Sequence, residues 1–293
     1  MGKARYKYPE AIVTGEWLAA HLDDQALRVF DCTTYLASPD GPDHPYKVVS
    51  GRPDYEAAHI PGSAFLDLQE ELSDRASRYR FTMPPLEELA ARFAQHGIGD
   101  GSRAILYSRK SPMWANRIWW MLRAVGFDDA AILDGGWDKW SAESRPASSE
   151  PSSYAPATLT AKPRPSLFVG PDSVETAIGD AGICTINALS PELHRGDSPR
   201  YGRPGRIPGS VNVPAAGLID KETLELPAAD AAAAAFDSVG AKPSKRALVY
   251  CGGGIAATLD AFLLHQLGHE NIAVYDNSMS EWATDESRPI ETG

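Results

Sequence analysis

Short apolar runs alternate with helix-like stretches along this chain, and the whole alternation occurs twice. In the first half, Arg28-Val29-Phe30-Asp31, Ala104 to Tyr107 and Ala131-Ile132-Leu133 are short, bounded apolar runs of the kind that form buried strands. Leu86 to His96 and Ala115 to Val125 read as helices, the latter with apolar Ile118, Trp119, Met121, Leu122 and Val125. In the second half, Gly182 to Ile186, Ala247 to Tyr250 and Ala273-Val274-Tyr275 read as strands, with helices over Ala228 to Val239 and Ala256 to Leu267. Strands alternating with helices predict an α/β fold, an open and mostly parallel sheet with helices on both faces. In such sheets the working site lies at the carboxyl ends of the strands.

The two halves echo each other in sequence as well as in pattern. His59-Ile60-Pro61-Gly62-Ser63-Ala64 returns as Arg206-Ile207-Pro208-Gly209-Ser210-Val211, and Ala104-Ile105-Leu106-Tyr107-Ser108 as Ala247-Leu248-Val249-Tyr250-Cys251. Ile132-Leu133-Asp134 and Trp140 return as Val274-Tyr275-Asp276 and Trp282, with Arg-Pro following in both copies. The matches keep one order and nearly one offset, so the chain is expected to be two tandem copies of one domain of about 140 residues. Ala147 to Pro165 is rich in Ser, Pro and Ala without apolar periodicity and reads as a linker. The expected division is residues 1–146, a linker at 147–165, and residues 166–293.

Composition narrows the function classes. The chain has 293 residues, 43% hydrophobic and 23% charged, enough apolar material for two packed cores. No run approaches the roughly 18 apolar residues needed to span a bilayer. The start, Met1-Gly2-Lys3-Ala4-Arg5-Tyr6, lacks the apolar core of a signal peptide, so the cytoplasm is the expected location. A formal net charge of −11 disfavours nucleic acid and anionic membrane surfaces as partners. Cys32, Cys184 and Cys251 are few and widely spaced, which offers neither a disulfide framework nor a metal-ligand pattern. Cys32 and Cys184 lie in apolar strand-like runs and read as core.

Cys251 is different. It ends an apolar run, and Gly252, Gly253 and Gly254 separate it from a helix-like segment. A thiol at a helix N-terminus meets a partial positive charge and free backbone N–H groups, which favour thiolate over thiol. The glycines forgo side-chain packing and leave the backbone bare around whatever the sulfur carries. The thiolate is a competent nucleophile, and the N–H groups of Gly252, Gly253, Gly254, Ile255, Ala256 and Ala257 form a nest for an anion carried on the sulfur. In the first copy Ser108 replaces the thiol, followed by Arg109, Lys110 and Pro112, so that half is expected to lack a nucleophile.

These residues carry a resemblance. The echoed His/Arg-Ile-Pro-Gly-Ser, the strand ending in Cys251-Gly-Gly-Gly-Ile-Ala, and Glu281-Trp282 with Arg288-Pro289 resemble a two-domain rhodanese-type sulfurtransferase of the thiosulfate/3-mercaptopyruvate family. Trp119-Trp120-Met121-Leu122-Arg123 and Leu133-Asp134-Gly135-Gly136-Trp137 are similar to the inactive first domain of that family. The resemblance implies two rhodanese-like domains, a catalytic second domain, a persulfide on Cys251, and a small sulfur donor with a thiol, cyanide or protein acceptor. No cofactor or metal is implied.

The chain also departs from the family pattern. Relatives acting on mercaptopyruvate usually carry loop hydroxyls where this chain has Gly253 and Ala256. Two usual arginines after the first strand of the active domain are replaced by Leu189 and Leu193, and a usual histidine of the first domain by Phe81. Replacement cations are expected from Arg195 and the irregular stretch 196–208 that follows it, with Arg200 and Arg203 ahead of Arg195 and Arg206. Asp74 resembles an acidic first-domain position that faces the active site. Thiosulfate is therefore the leading expected donor, with 3-mercaptopyruvate second and a less charged persulfide or polysulfide suited to an uncharged loop. Two other readings are a Cys-x5-Arg phosphatase, disfavoured because Ala257 stands where the arginine would be, and a persulfide carrier serving a partner protein without turnover.

Overall fold

The computed structural model describes residues 4–41 and 45–293. Residues 1–3, at the head of the segment read as lacking a signal core, lie outside the described residues. The first domain contributes strands β1 (Ile12–Val13), β2 (Leu27–Asp31), β3 (Thr34–Ala37), β4 (Lys47–Ser50), β5 (Ala64–Phe65), β6 (Arg103–Tyr107) and β7 (Ala130–Leu133). Its helices are α1 (Gly15–Ala20), α2 (Arg52–Ala57), α3 (Leu86–Gln95), α4 (Met113–Val125) and α5 (Gly136–Ala142). The second domain has β8 (Phe168–Val169), β9 (Ile183–Asn187), β10 (Val211–Asn212), β11 (Arg246–Tyr250) and β12 (Ile272–Tyr275). Its helices are α6 (Pro171–Ala177), α7 (Pro191–Arg195), α8 (Ala229–Ser238), α9 (Ala256–Gln266) and α10 (Ser278–Trp282).

Each domain builds a parallel five-stranded sheet with one topology, β1-β7-β6-β2-β5 in the first and β8-β12-β11-β9-β10 in the second. The sequence echoes become equivalent contacts. Tyr107 Oη lies 2.9 Å from Ser63 Oγ, and Tyr250 Oη lies 2.8 Å from Ser210 Oγ. Trp140 Nε1 donates to the Pro146 carbonyl and Trp282 Nε1 to the Pro289 carbonyl, each at 2.8 Å. The strands and long helices read from the sequence are present with end shifts of a residue or two. The antiparallel hairpin β3–β4, by contrast, was not legible in the pattern.

The domains do not keep two separate cores. One hydrophobic cluster runs through both, joining Phe30, Leu106 and Trp119 to Val249, Phe262 and Leu264, while a smaller cluster lies on the outer face of each sheet. The reason is helical. Eleven of the 13 residues of α4 and ten of the 11 of α9 are buried, so each is covered around nearly its whole circumference, and the two helices meet at the domain seam. Across this seam Trp119 meets Phe262 edge to face, with ring centroids 4.8 Å apart, a geometry worth about 0.5–1.5 kcal/mol beyond burial. No helix among the described residues is long and apolar enough to cross a membrane.

Candidate functional site

Cys251 follows the last residue of β11, at the carboxyl end of the second sheet, and is 2% exposed. The loop after it holds its carbonyls outward. Ser278 Oγ receives the Cys251 N–H at 3.0 Å, and the N–H of Met279 donates to the Cys251 carbonyl at 3.1 Å. Ser280 gives both its N–H, at 2.8 Å, and its hydroxyl, at 2.7 Å, to the Gly252 carbonyl. Arg117 Nη1 donates to the Gly254 carbonyl at 3.1 Å. With the carbonyls committed to these outer donors, no acceptor among the described residues meets the N–H groups of residues 252–257. Six unpaired donors beside a buried sulfur at the start of α9 can hold an anion attached to that sulfur.

Arg117 is a residue that the sequence reading missed. It is fully buried in α4 of the first domain yet serves the second, bonding Asp276 Oδ1 at 2.6 Å and the Phe81 carbonyl at 2.7 Å in addition to Gly254. Asp276 Oδ2 accepts from the Met83 N–H at 2.7 Å, so the pair pins the loop to the first domain from two sides. The signal is an arginine in the middle of a largely apolar helix, next to Asn116 and ahead of Arg123.

The cavity over Cys251 measures about 280 Å³ and is walled by both domains. The second gives Leu189, Tyr201, Cys251, Gly252, Gly253, Ile255 and Ala256. The first gives Thr34, Tyr35 and Leu36 of β3, Tyr46, Met113 and Trp114, with Arg109 and Lys110 from its Ser108 loop. Arg109 is buried, with Nε 3.4 Å from Asp31 Oδ2 and its remaining fork on the Ala58 carbonyl. Lys110 is paired with Asp138 at 3.2 Å. These cations reach the cavity from a first-domain loop that no local pattern places there.

Two tyrosines explain the glycines. A Cβ on Gly252 would overlap the Tyr201 hydroxyl and ring, and one on Gly253 would lie 2.5 Å from the Tyr46 hydroxyl. Gly254 has a different reason, a φ of 73° with the Asp276 carbonyl against it. Burial, the neighbouring Tyr201 phenol and the charge on Cys251 push the Tyr46 hydroxyl well above the usual tyrosine range, and burial and Cys251 push Tyr201 up to about 12. Both remain protonated donors at neutral pH. The position where relatives carry a loop hydroxyl is thus bare because a first-domain hydroxyl occupies it, and Phe81, where a histidine was expected, stacks on Tyr46 at 6.1 Å between centroids.

The other candidate residues are dispersed. Ile255 and Ala256 line the cavity, and Ala257 is buried beneath them as α9 begins. Arg200 is exposed over the Tyr201 ring and lines a neighbouring cleft of about 420 Å³ with Arg78 and Arg80. Tyr46 and Tyr201 are shared by both spaces. The stretch 196–208 therefore reaches the loop through Tyr201. Arg203 does not, because its guanidinium is held by the carbonyls of Trp282, Ala283, Asp285 and Arg288 and straps the end of the chain. Asp74 turns back on its own loop, accepting from the Ala76 N–H at 2.9 Å, and lines neither space. Leu189 lines the cavity and Leu193 does not. Cys32 and Cys184 are free and buried in the core.

Comparison with known proteins agrees with this architecture. The profile of the family described as Rhodanese-like domain matches residues 14–143 and 195–285. The thiosulfate/3-mercaptopyruvate sulfurtransferase 2 of Arabidopsis thaliana is 32% identical over 96% of this chain and 86% of its own length. The 3-mercaptopyruvate sulfurtransferase of Homo sapiens is 30% identical over 93% and 91%. Among solved structures, SseA of Escherichia coli, a 3-mercaptopyruvate sulfotransferase, superposes with a TM-score of 0.77 at 28% identity, covering 92% of this chain and 98% of that one. An anaerobic ergothioneine biosynthesis enzyme from Chlorobium limicola shares the fold, with a TM-score of 0.84 at 20% identity over 99% and 72%. Two matched domains, near-complete coverage of these relatives and a repeated parallel sheet converge on one statement: the chain belongs to the rhodanese family, as one of its two-domain sulfurtransferases.

Proposed function

We propose that this sulfurtransferase works through Cys251, which attacks a sulfane sulfur, carries it as a persulfide, and passes it to a thiol or cyanide. The observation that carries the reading is the ring of six unpaired N–H groups on the Cys251 loop. They are arranged before any charge arrives and need no reorganisation when it does. Residues 166–293 form the catalytic domain, residues 147–165 the connection, and residues 1–146 a partner domain without a nucleophile. The protein works in the cytoplasm, where free thiols such as Cys32 and Cys184 are kept reduced.

Thiosulfate is the leading donor. The cavity wall near the loop offers Leu189, Trp114 and Met113, with Arg109 and Lys110 at its edge, so the loop meets the donor with backbone donors and phenols. 3-Mercaptopyruvate is the second reading, because the similar proteins of Arabidopsis thaliana and Homo sapiens carry that substrate in their names. A donor panel with cyanide as acceptor, scored by thiocyanate formation, tests both. Turnover with thiosulfate above that with mercaptopyruvate is expected, alongside intact mass showing one added sulfur on the wild type and none on Cys251→Ser. Sulfur loading that survives Cys251→Ser would sink the assignment, and loading obtained only from a protein donor would favour a carrier.

A further inference from the structure

We propose that Tyr46, contributed by the first domain, is a substrate-contacting residue of the transfer reaction, its phenol hydroxyl donating to the outer sulfur of the Cys251 persulfide. The inference rests on the nucleophile assigned above. It begins with the reason for Gly253. A Cβ built there meets the Tyr46 hydroxyl at 2.5 Å, and the next nearest atoms, Ser280 Oγ and Tyr46 Cζ, are both at 3.8 Å. Gly253 does not adopt a positive φ, unlike Gly254, so its backbone would accept a side chain. What excludes one is a single oxygen atom. The loop is bare at this position so that this hydroxyl can occupy it.

That hydroxyl is placed for use. Tyr46 is 4% exposed and lines the cavity with Cys251. Its ring lies nearly parallel to Phe81, which meets Trp114 edge to face at 5.4 Å, so its direction is fixed by aromatic packing. A donor held by packing pays no ordering entropy when charge develops beside it.

The step balances without a net proton transfer. The Cys251 thiolate attacks the sulfane sulfur, the donor's bond to that sulfur breaks, and its electron pair leaves with the remnant, sulfite when the donor is thiosulfate. The negative charge formerly on Sγ then resides on the outer sulfur, where the Tyr46 hydroxyl meets it. In the second half-reaction the acceptor attacks that outer sulfur, and the electron pair of the Cys251 S–S bond returns to Sγ. A hydrogen bond to the outer sulfur draws charge from the atom under attack. The phenol keeps its proton throughout.

A swap of hydroxyls tests this. Tyr46→Phe is expected to lower transfer about ten- to a hundredfold, the loss typical of one hydrogen bond to a charged group. Gly253→Ser alone should also lower it, and should lower the melting temperature, because the new Cβ collides with the Tyr46 hydroxyl. Tyr46→Phe with Gly253→Ser clears the space and returns a hydroxyl to it, so transfer should recover to within a few fold of the wild type. Tyr46→Phe with Gly253→Ala clears the same space without a donor and should stay as slow as Tyr46→Phe. Full activity of Tyr46→Phe would overturn the proposal. So would recovery with Ala equal to that with Ser, since it would reduce Tyr46 to packing. A failure of the nucleophile assignment is read from a different variant, Cys251→Ser, and cannot be confused with either result.

Discussion

The loop after β6 and the loop after β11 start from the same place and end as opposites. Each follows a strand whose last tyrosine makes the same hydroxyl contact with a serine. In the first domain the loop spends its polar groups on its own surroundings. Ser108 donates to the Ser111 carbonyl at 2.6 Å, the Arg109 N–H goes to Thr33 Oγ1 at 3.1 Å, and the Lys110 N–H goes to Asp138 at 2.8 Å. In the second domain the carbonyls are held from outside and the N–H groups are left unpaired. One scaffold thus gives a closed turn or an anion nest. The difference lies in whether side chains fill the loop or glycines leave it open to groups from the other domain.

The largest test of that contrast exchanges the nucleophile. Cys251→Ser should lower transfer by roughly a thousandfold or more, as removal of a covalent catalyst does. Ser108→Cys in that background should restore nothing measurable in the thiocyanate assay, because the N–H groups of Arg109, Lys110 and Met113 are already taken by Thr33, Asp138 and Ser111, and Pro112 has none. Activity from a thiol at Ser108 would erase the distinction. Next in size is the pin between the domains. Arg117→Met removes the buried cation and leaves the largely shielded Asp276 carboxylate without it, which should cost about 3 kcal/mol in denaturant unfolding. Arg117→Met with Asp276→Asn should recover part of that. A loss well under 1 kcal/mol in the single variant would show that the pair does not hold the loop.

Gly252→Ala addresses the openness of the second loop directly. Its methyl group would overlap Tyr201, so a destabilisation of about 1–3 kcal/mol is expected from overpacking, with a drop in transfer in the same variant. A neutral result by thermal melting would contradict the fit of Tyr201 to the loop. The smallest effect concerns the strand position beside each loop, Asp31 in one domain and Asn187 in the other, which oppose Tyr107 and Tyr250. Asp31 pairs with Arg109, whereas Asn187 lies 3.2 Å from His194. Burial, reinforced by Arg206, lowers His194 to about 4. The unfolded chain, with a histidine near 6.5, binds more protons below that pH, so stability should fall as pH drops from about 6.5 toward 4. His194→Gln should flatten this part of a stability–pH curve, and an unchanged slope would remove His194 from the account.

Much of this was legible in the sequence because it was local. The strands ending at Tyr107 and Tyr250, the helices around Trp119 and Phe262, and the cysteine before three glycines all announce themselves within a dozen residues. What was not legible depends on contacts between residues far apart in the chain, several of them in different domains. Tyr46 sits just after a run of Pro, Asp, Gly and His that reads only as loop, and its place against Gly253 spans about 200 residues of chain. Arg117 is one of three polar residues, with Asn116 and Arg123, on a largely apolar helix, and nothing local marks it out. Arg203 looked like a free cation because no sequence pattern reveals that four carbonyls converge on it. The glycines announce a bare backbone around the sulfur, but not that Gly252 and Gly253 make room for tyrosines.

The segment joining the domains has a consequence of its own. Tyr154 is bonded to the Val29 N–H at 2.8 Å, Ala157 to the Ala94 carbonyl at 2.8 Å, Thr160 to Asp100, and Lys162 and Arg164 to the carbonyls at the end of α4. It is a tether without slack. For a loosely linked pair, each encounter would be governed by an effective concentration set by coil length. Here that search is completed once, when the chain folds. Lengthening the segment should therefore leave turnover nearly unchanged while its clamped residues remain, whereas severing it should turn a unimolecular assembly into a dilution-sensitive one.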